Sequence, residues 1–262
     1  FHFKPNNVTV KKLVDKTVFI TGGLSGIGRA CAMAAAQEGA NLVVADMSND
    51  LSSLLMQDIV AINPKAIFLA CDVSKMDELK SAIDKTVQVF GSLDVALNNA
   101  GIGGESNKVA DMTEKAWQQV IGINLSGVFN GMKYELIQML KQKKGVIVNM
   151  SSILGKVGFA QSSHYVAAKH GVLGLTKTAA LEYATDGIRI NAICPGFIAT
   201  PLLEKGGITD HSEIMQHIVD LHPMKRLGRS EEIAKGFVFL ACDDSSFMTG
   251  STLEIEGGYL AQ

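Results

Sequence analysis

Cysteine, proline and tryptophan are scarce in this chain: its 262 residues include four Cys, five Pro and one Trp. Cys31, Cys71, Cys194 and Cys242 lie far apart in apolar or strand-like stretches. That distribution excludes a dense disulfide framework and a short-spaced zinc site, so no metal is expected, and it fits a reduced intracellular protein. An excess of either charge is missing as well. Lys and Arg number 24 against 26 Asp and Glu, a net charge of −2, which leaves no basic stripe for nucleic acid. No apolar run approaches the ~20 residues of a membrane span, and the opening FHFKPNNVTVKK has no signal-peptide core. The expectations are therefore no nucleic-acid partner, no membrane and a cytoplasmic location. Linkers, fixed-period repeats and low-complexity segments are also lacking. With 47% hydrophobic residues, the length suits one sizeable core. Residues 1–12 are set apart as an N-terminal extension, and 13–262 are expected to form one domain.

What is present is an alternation of short β-rich runs with longer helical patterns. Strands are predicted at TVFIT (17–21), NLVVAD (41–46), AIFLAC (66–71), DVALNN (94–99), GVIVNM (145–150), IRINAIC (188–194) and TLEIE (252–256). Helices fill the intervals, including 27–38, about 113–140 and 163–185. Seven apolar strands separated by helices imply an α/β fold with a parallel sheet covered on both faces and right-handed crossovers. One stretch breaks the rhythm. The segment 196–229 is a long insertion after the sixth strand, the kind of insertion that serves as a lid or binding loop.

The first strand runs into TGGLSGIG (21–28) and then directly into a helix. Glycines in that place let the backbone turn tightly and approach a pyrophosphate, and the helix N-terminus offers unpaired N–H groups and a positive dipole end. Gly22, Ser25, Gly26, Ile27 and Gly28 are the candidates. Their spacing is not G-x-G-x-x-G, so the loop alone also fits a glycine-rich turn. Asp46 ends the second strand, where this fold receives a ribose 2′-hydroxyl on a carboxylate. A 2′-phosphate would meet that charge with no compensating cation at Met47 or Ser48. NAD is thus preferred over NADP, with Arg29 as the competing phosphate partner or, more plainly, a helix-surface residue.

In HYVAAKHG (164–171), Tyr165 and Lys169 are four apart and share one helix face. A cation beside a phenol favours the phenolate and brings tyrosine into range for acid–base work. Taken alone, the pair also fits an ordinary amphipathic helix. His164 and His170 are read as packed or solvated, Trp117 as a core or interface anchor, and His211, His217 and His222 as surface or rim residues.

Together these stretches resemble the short-chain dehydrogenase/reductase family over nearly the whole length. The resemblance rests on TGxxxGIG at 21–28, CDVS at 71–74, NNAG at 98–101, Asn124 in GINLSGVF, the serines of MSSILG, YxxxK at 165–169 and CPGFIAT at 194–200. It implies a Rossmann-type sheet ordered 3-2-1-4-5-6-7, a nicotinamide cofactor, and hydride transfer between a secondary alcohol and a ketone. Carried over, Tyr165 is the general acid/base, Lys169 lowers its pKa and holds the ribose, and Ser152 polarises the carbonyl, with Ser151 as runner-up. Asn124 holds a water that links Lys169 to solvent. Asp72 and Val73 meet the adenine, Asn99 lines the adenosine side, and Ile198 and Thr200 meet the carboxamide beyond Pro195 and Gly196.

The same resemblance places the substrate among Ile102, Ile153, Leu154, Phe159, Leu202 and Leu203. Those apolar walls favour, as the small-molecule substrate, an uncharged or weakly polar secondary alcohol such as a cyclic alcohol, a steroid-like ring or a sugar. It further implies a homotetramer. Two alternatives stand beside this reading: an NADP-dependent reductase of 3-oxoacyl thioesters, and an NAD-binding protein without turnover.

Overall fold

The computed structural model describes residues 10–47, 52–205 and 213–262. Seven parallel strands form one sheet in the order β3-β2-β1-β4-β5-β6-β7. They are β1 (Thr17–Thr21), β2 (Asn41–Asp46), β3 (Ala66–Ala70), β4 (Val95–Asn98), β5 (Gly145–Met150), β6 (Ile188–Pro195) and β7 (Thr252–Ile255). The order reverses between β1 and β4, so the crossovers after these strands leave in opposite directions and open a crevice at the strands' C-terminal ends.

Successive side chains on a strand face opposite ways, so each central strand supplies both faces of the sheet. Val18 and Ile20 pack on one side with α1 (Gly26–Gln37), α2 (Ser52–Ile62) and α9 (Ser230–Ala241). Phe19 and Val43 face the other side, against α3 (Met76–Phe90), α5 (Gly127–Gln142) and α6 (Ser163–Tyr183). Burial on both faces explains why the strands read as continuous apolar runs rather than alternating ones.

The helix expected over about 113–140 is interrupted. It runs as α4 (Glu114–Ile121), a π-helical turn (Gly122–Ser126) and then α5. Glycines bracket that turn, and a Cβ on Gly127 would lie 2.8 Å from Val73 Cγ2. The helix therefore approaches the end of β3 more closely than a larger residue allows. Trp117 on α4 is 37% exposed, so of the two roles expected for it, core or interface anchor, the core one does not hold. Leu13 is fully buried, and Lys12 pairs with Asp244, so the chain is already tied to the fold there. Within the insertion lie α7 (Pro201–Lys205) and α8 (Glu213–Asp220). Ser48 and His211 fall outside the described residues.

A polar chain crosses the core beneath the crevice. Asn98 Nδ2 donates to Glu135 Oε2 at 3.0 Å and to Asn149 Oδ1 at 3.1 Å, and Asn149 Nδ2 donates to Thr176 Oγ1 at 3.0 Å. Burial pushes the Glu135 carboxyl up to about 8, against the opposing hydrogen bond from Asn98. The folded chain thus keeps a proton that the unfolded chain releases above its ordinary value of 4.5, and stability falls as pH rises through that window. Glu135→Gln is expected to flatten this dependence, with the wild type losing on the order of a few kcal/mol more than the variant. Chemical denaturation at a series of pH values checks this, and parallel profiles for the two proteins would contradict it.

Candidate active site

A cavity of about 530 Å³ occupies the crevice, with Tyr165, Lys169 and the β1–α1 loop on its walls. Gly22, Ser25, Gly26 and Ile27 line one end. Gly22 (φ +65°) and Gly26 (φ +50°) adopt left-handed backbone, and a Cβ on Gly22 would lie 2.8 Å from Ala100 Cα. Larger residues would lift the loop off β4. Ser25 makes no side-chain cap to α1, so the first N–H groups of that helix have no partner within it. Gly28 does not line the cavity. A Cβ there would fall 2.0 Å from Gly22 O and 2.5 Å from Asn99 Nδ2, so its part is close packing. The Asn99 carboxamide donates to Thr21 O and Gly22 O, both at 3.1 Å, and so fastens the loop to β4.

Asp46 is on the same wall, at the end of β2. Its carboxylate accepts from Leu24 N at 3.0 Å and Met47 N at 2.8 Å, which locks the glycine loop against the strand. Asp72 and Val73 follow along this end, and Asn99 faces them. Arg29 turns away to pair with Asp58 at 2.8 Å, which is the helix-surface role. Pro195, Gly196, Ile198 and Thr200 also line the cavity, where β6 gives way to α7, and Thr200 meets the glycine loop, since a Cβ on Gly26 would lie 3.4 Å from Thr200 Cγ2.

The acid–base group lines the same cavity. The 3₁₀ turn after β5 is capped by Ser152, whose Oγ accepts from Leu154 N at 3.1 Å. The Ser152 hydroxyl is close enough to the Tyr165 phenol to lower its proton affinity. Lys169 Nζ donates to Met150 O at 2.8 Å and lies 5.6 Å from the centroid of the Tyr165 ring. Ser151 points elsewhere, its Oγ donating to Lys169 O at 2.9 Å. The adjacent serines are therefore separated by geometry: Ser152 meets the phenol and Ser151 holds the helix backbone.

Charge in this pocket differs from the sequence expectation. Burial raises the Tyr165 pKa, and the Ser152 hydroxyl only partly offsets it. Burial also drives the Lys169 ammonium down to about 8. In the protein alone, burial outweighs the Ser152 interaction, so the phenol lies above its ordinary value rather than below it. The Asn124 carboxamide accepts from Ile102 N at 2.9 Å and donates to Ile102 O at 2.8 Å, so the side chain is spent on the 101–106 loop.

A family model described as enoyl-(acyl carrier protein) reductase matches residues 22–260. A cyclohexanol dehydrogenase from an Acinetobacter species is 43% identical over 251 residues, 96% of this chain and 97% of that one. This chain belongs to the short-chain dehydrogenase/reductase family. A 3-oxoacyl-[acyl-carrier-protein] reductase from Thermotoga maritima is 40% identical over 94% of this chain and 98% of its own. Among solved structures, levodione reductase superposes with a TM-score of 0.91 at 38% identity, covering 95% of this chain and 99% of that one. The protein is accordingly an oxidoreductase of that family, whose members bind a nicotinamide cofactor.

In this short-chain dehydrogenase/reductase, Ile102, Ile153, Leu154, Phe159, Leu202 and Leu203 line the same cavity as Tyr165. Ile214, His217 and Ile218 of α8 and Phe197 line it as well, and sequence reasoning missed them. The i, i+4 spacing of Ile214 and Ile218 was the available signal. Of the histidines read as surface or rim residues, His217 is exposed and lines the cavity, as expected, whereas His222 is only 1% exposed. His164 is packed, its Nδ1 accepting from Tyr165 N at 2.8 Å, whereas His170 is exposed. The serine pair offers a direct check. Ser152→Ala is expected to lower kcat by about 10² or more. Ser151→Ala is expected to cost about 1 kcal/mol of stability with a far smaller kinetic effect. Equal kinetic losses would contradict the division of roles.

Proposed function

We propose that the chain is an NAD-dependent dehydrogenase/reductase that interconverts small, uncharged secondary alcohols and ketones, cyclic ones above all. The observation that carries this is the Ser152–Tyr165–Lys169 group set into an apolar cavity whose far end bears the Asp46 carboxylate. Names of similar proteins, cyclohexanol dehydrogenase and levodione reductase, support a ring-shaped substrate.

The site fits a nicotinamide dinucleotide. Gly22 and Gly26 leave the room a Cβ would fill, and the uncapped start of α1 offers N–H groups to a diphosphate. Asp46 keeps oxygen lone pairs beyond its two backbone bonds for a ribose hydroxyl. Ser25, Ile27, Asp72, Val73 and Asn99 would flank the adenosine half. Pro195, Gly196, Ile198 and Thr200 would flank the nicotinamide half. When bound, the cofactor supplies the hydride acceptor for oxidation and the hydride donor for reduction.

In reduction, Ser152 and Tyr165 hold the carbonyl oxygen, and the phenol, kept protonated by burial, donates to the developing alkoxide. In oxidation the phenol must first ionise. The Lys169 ammonium and the Ser152 hydroxyl both favour that form. With its pKa near 8, Lys169 remains mostly charged at neutral pH. The proton's exit would run past Lys169 toward Asn124, to which this reading gives a water leading to solvent.

The T. maritima relative favours a second reading, an NADP-dependent reductase of 3-oxoacyl thioesters. Asp46 and the Arg29–Asp58 pair oppose it, since neither offers a cation to a 2′-phosphate. A homotetramer belongs to the proposal. The exposed Phe129, Ile137 and Leu140 on α5 support it, and light scattering that gave a monomer would contradict it.

Nicotinamide absorbance, followed with NAD or NADP against cyclic alcohols, other secondary alcohols and acyl thioesters, tests the proposal. NAD-linked turnover of cyclic alcohols is expected, with Tyr165→Phe lowering kcat by about 10²–10⁴. Asp46→Ala should weaken NAD binding by about 10-fold or more, as expected for losing a charged hydrogen-bond partner. Oxidation should speed up as pH rises through the alkaline range, while reduction slows. Turnover confined to thioesters and NADP would favour the second reading, and none that depends on Tyr165 would sink both.

A further inference from the structure

The inference concerns His222 and rests on the proposed reading at one point, that substrate binds between Tyr165 and α8. His222 lies just beyond α8, is 1% exposed, and takes no part in the chemistry above. Its two ring nitrogens bond in opposite senses. Nδ1 lies 2.8 Å from Ile218 O, and Phe197 N donates to Nε2 at 3.3 Å. A backbone N–H can only donate, so Nε2 is the bare nitrogen and Nδ1 carries the proton given to Ile218 O. The ring is thus a neutral imidazole in one tautomer.

The two bonds join different walls of the cavity. Ile218 O is among the last four carbonyls of α8, which have no partner within the helix, so His222 caps that helix. Phe197 begins the segment after β6. That segment is itself fastened to the fold, since Gly228 N donates to Phe197 O at 2.9 Å and Ala199 N donates to Gly228 O at 3.0 Å. Ile214 and Ile218 line the cavity from α8, and Phe197 and Ile198 line it from the segment.

The surroundings are shaped to the ring. A Cβ on Gly196 would come within 3.0 Å of Nε2, and one on Gly257 within 3.5 Å of Cδ2. The rings of Phe197 and Tyr259 pack at centroid distances of 5.8 and 5.4 Å. Meanwhile Ile218 is the one buried residue of α8 among those described. A helix with so little buried surface opens easily unless something ties it down.

We propose that His222 is a positioning residue for substrate, hanging α8 on the Phe197–Thr200 segment and so setting the width of the cavity's substrate end. His222→Phe keeps the ring volume and the aromatic packing but removes both hydrogen bonds. His222→Gln keeps an acceptor that can reach Phe197 N and a donor amide. Amide hydrogen exchange of residues 197 and 213–221 reads the tether without any substrate. KM and kcat for a cyclic ketone read its consequence.

The Phe variant should exchange faster at these amides and show KM raised by about tenfold, the loss of roughly one hydrogen bond. Its kcat should stay within about threefold and its NAD affinity should not change. Gln should restore most of both effects. Wild-type exchange and KM in the Phe variant would overturn the proposal. So would a Gln variant as defective as Phe. If the wild type turned over no ketone, the functional reading would fail while the exchange comparison still decided the tether.

Discussion

The bond from Lys169 Nζ to Met150 O governs the rest of the site. It ties α6 to the end of β5 inside the sheet's crevice, where an ammonium is costly to bury. Once Lys169 is seated, helical geometry puts Tyr165 one turn away on the same face, and the turn after β5 brings Ser152 to the phenol. Ser151 reinforces the arrangement from below by bonding Lys169 O. The burial that positions these groups also moves their proton affinities in opposite directions, Tyr165 up and Lys169 down. Such an environment keeps the phenol protonated and leaves its ionisation sensitive to any positive charge brought close.

The glycine loop is governed by a second constraint, contact with β4. Gly22, Gly28 and Asn99 meet at distances that admit no further atom, and Asp46 closes the loop from the β2 side. An acidic residue at the end of β2 therefore has a structural part as well as the recognition part proposed for it. The two are compatible, because the backbone bonds leave carboxylate lone pairs facing the cavity.

Much of this was legible in the sequence, and the reasons are physical. Strands buried on both faces declare themselves as short apolar runs, so β1, β2 and β5 were bounded to the residue. The motif residues at the strand ends gave the cavity's position, since a parallel sheet delivers those ends to one edge. What stayed hidden depended on three-dimensional surroundings. The shift of Tyr165 follows from desolvation, which no i, i+4 rule reports. The engagement of Asn124 with Ile102 needs the π turn, and a helical pattern does not show one. His222 looked peripheral because it sits in a polar insertion, yet Gly196, Gly257, Phe197 and Tyr259 wrap it.

The central claim is that burial, rather than Lys169 alone, sets the proton affinity of Tyr165 and that added positive charge reverses the shift. The most direct test is a titration of the Tyr165 phenol, by carbon-13 NMR of labelled tyrosine with Tyr165→Phe to assign the signal, in the protein alone and saturated with NAD. The account predicts a pKa above that of free tyrosine without the cofactor and a marked fall with it. A phenol already depressed in the protein alone, or one indifferent to NAD, would contradict it.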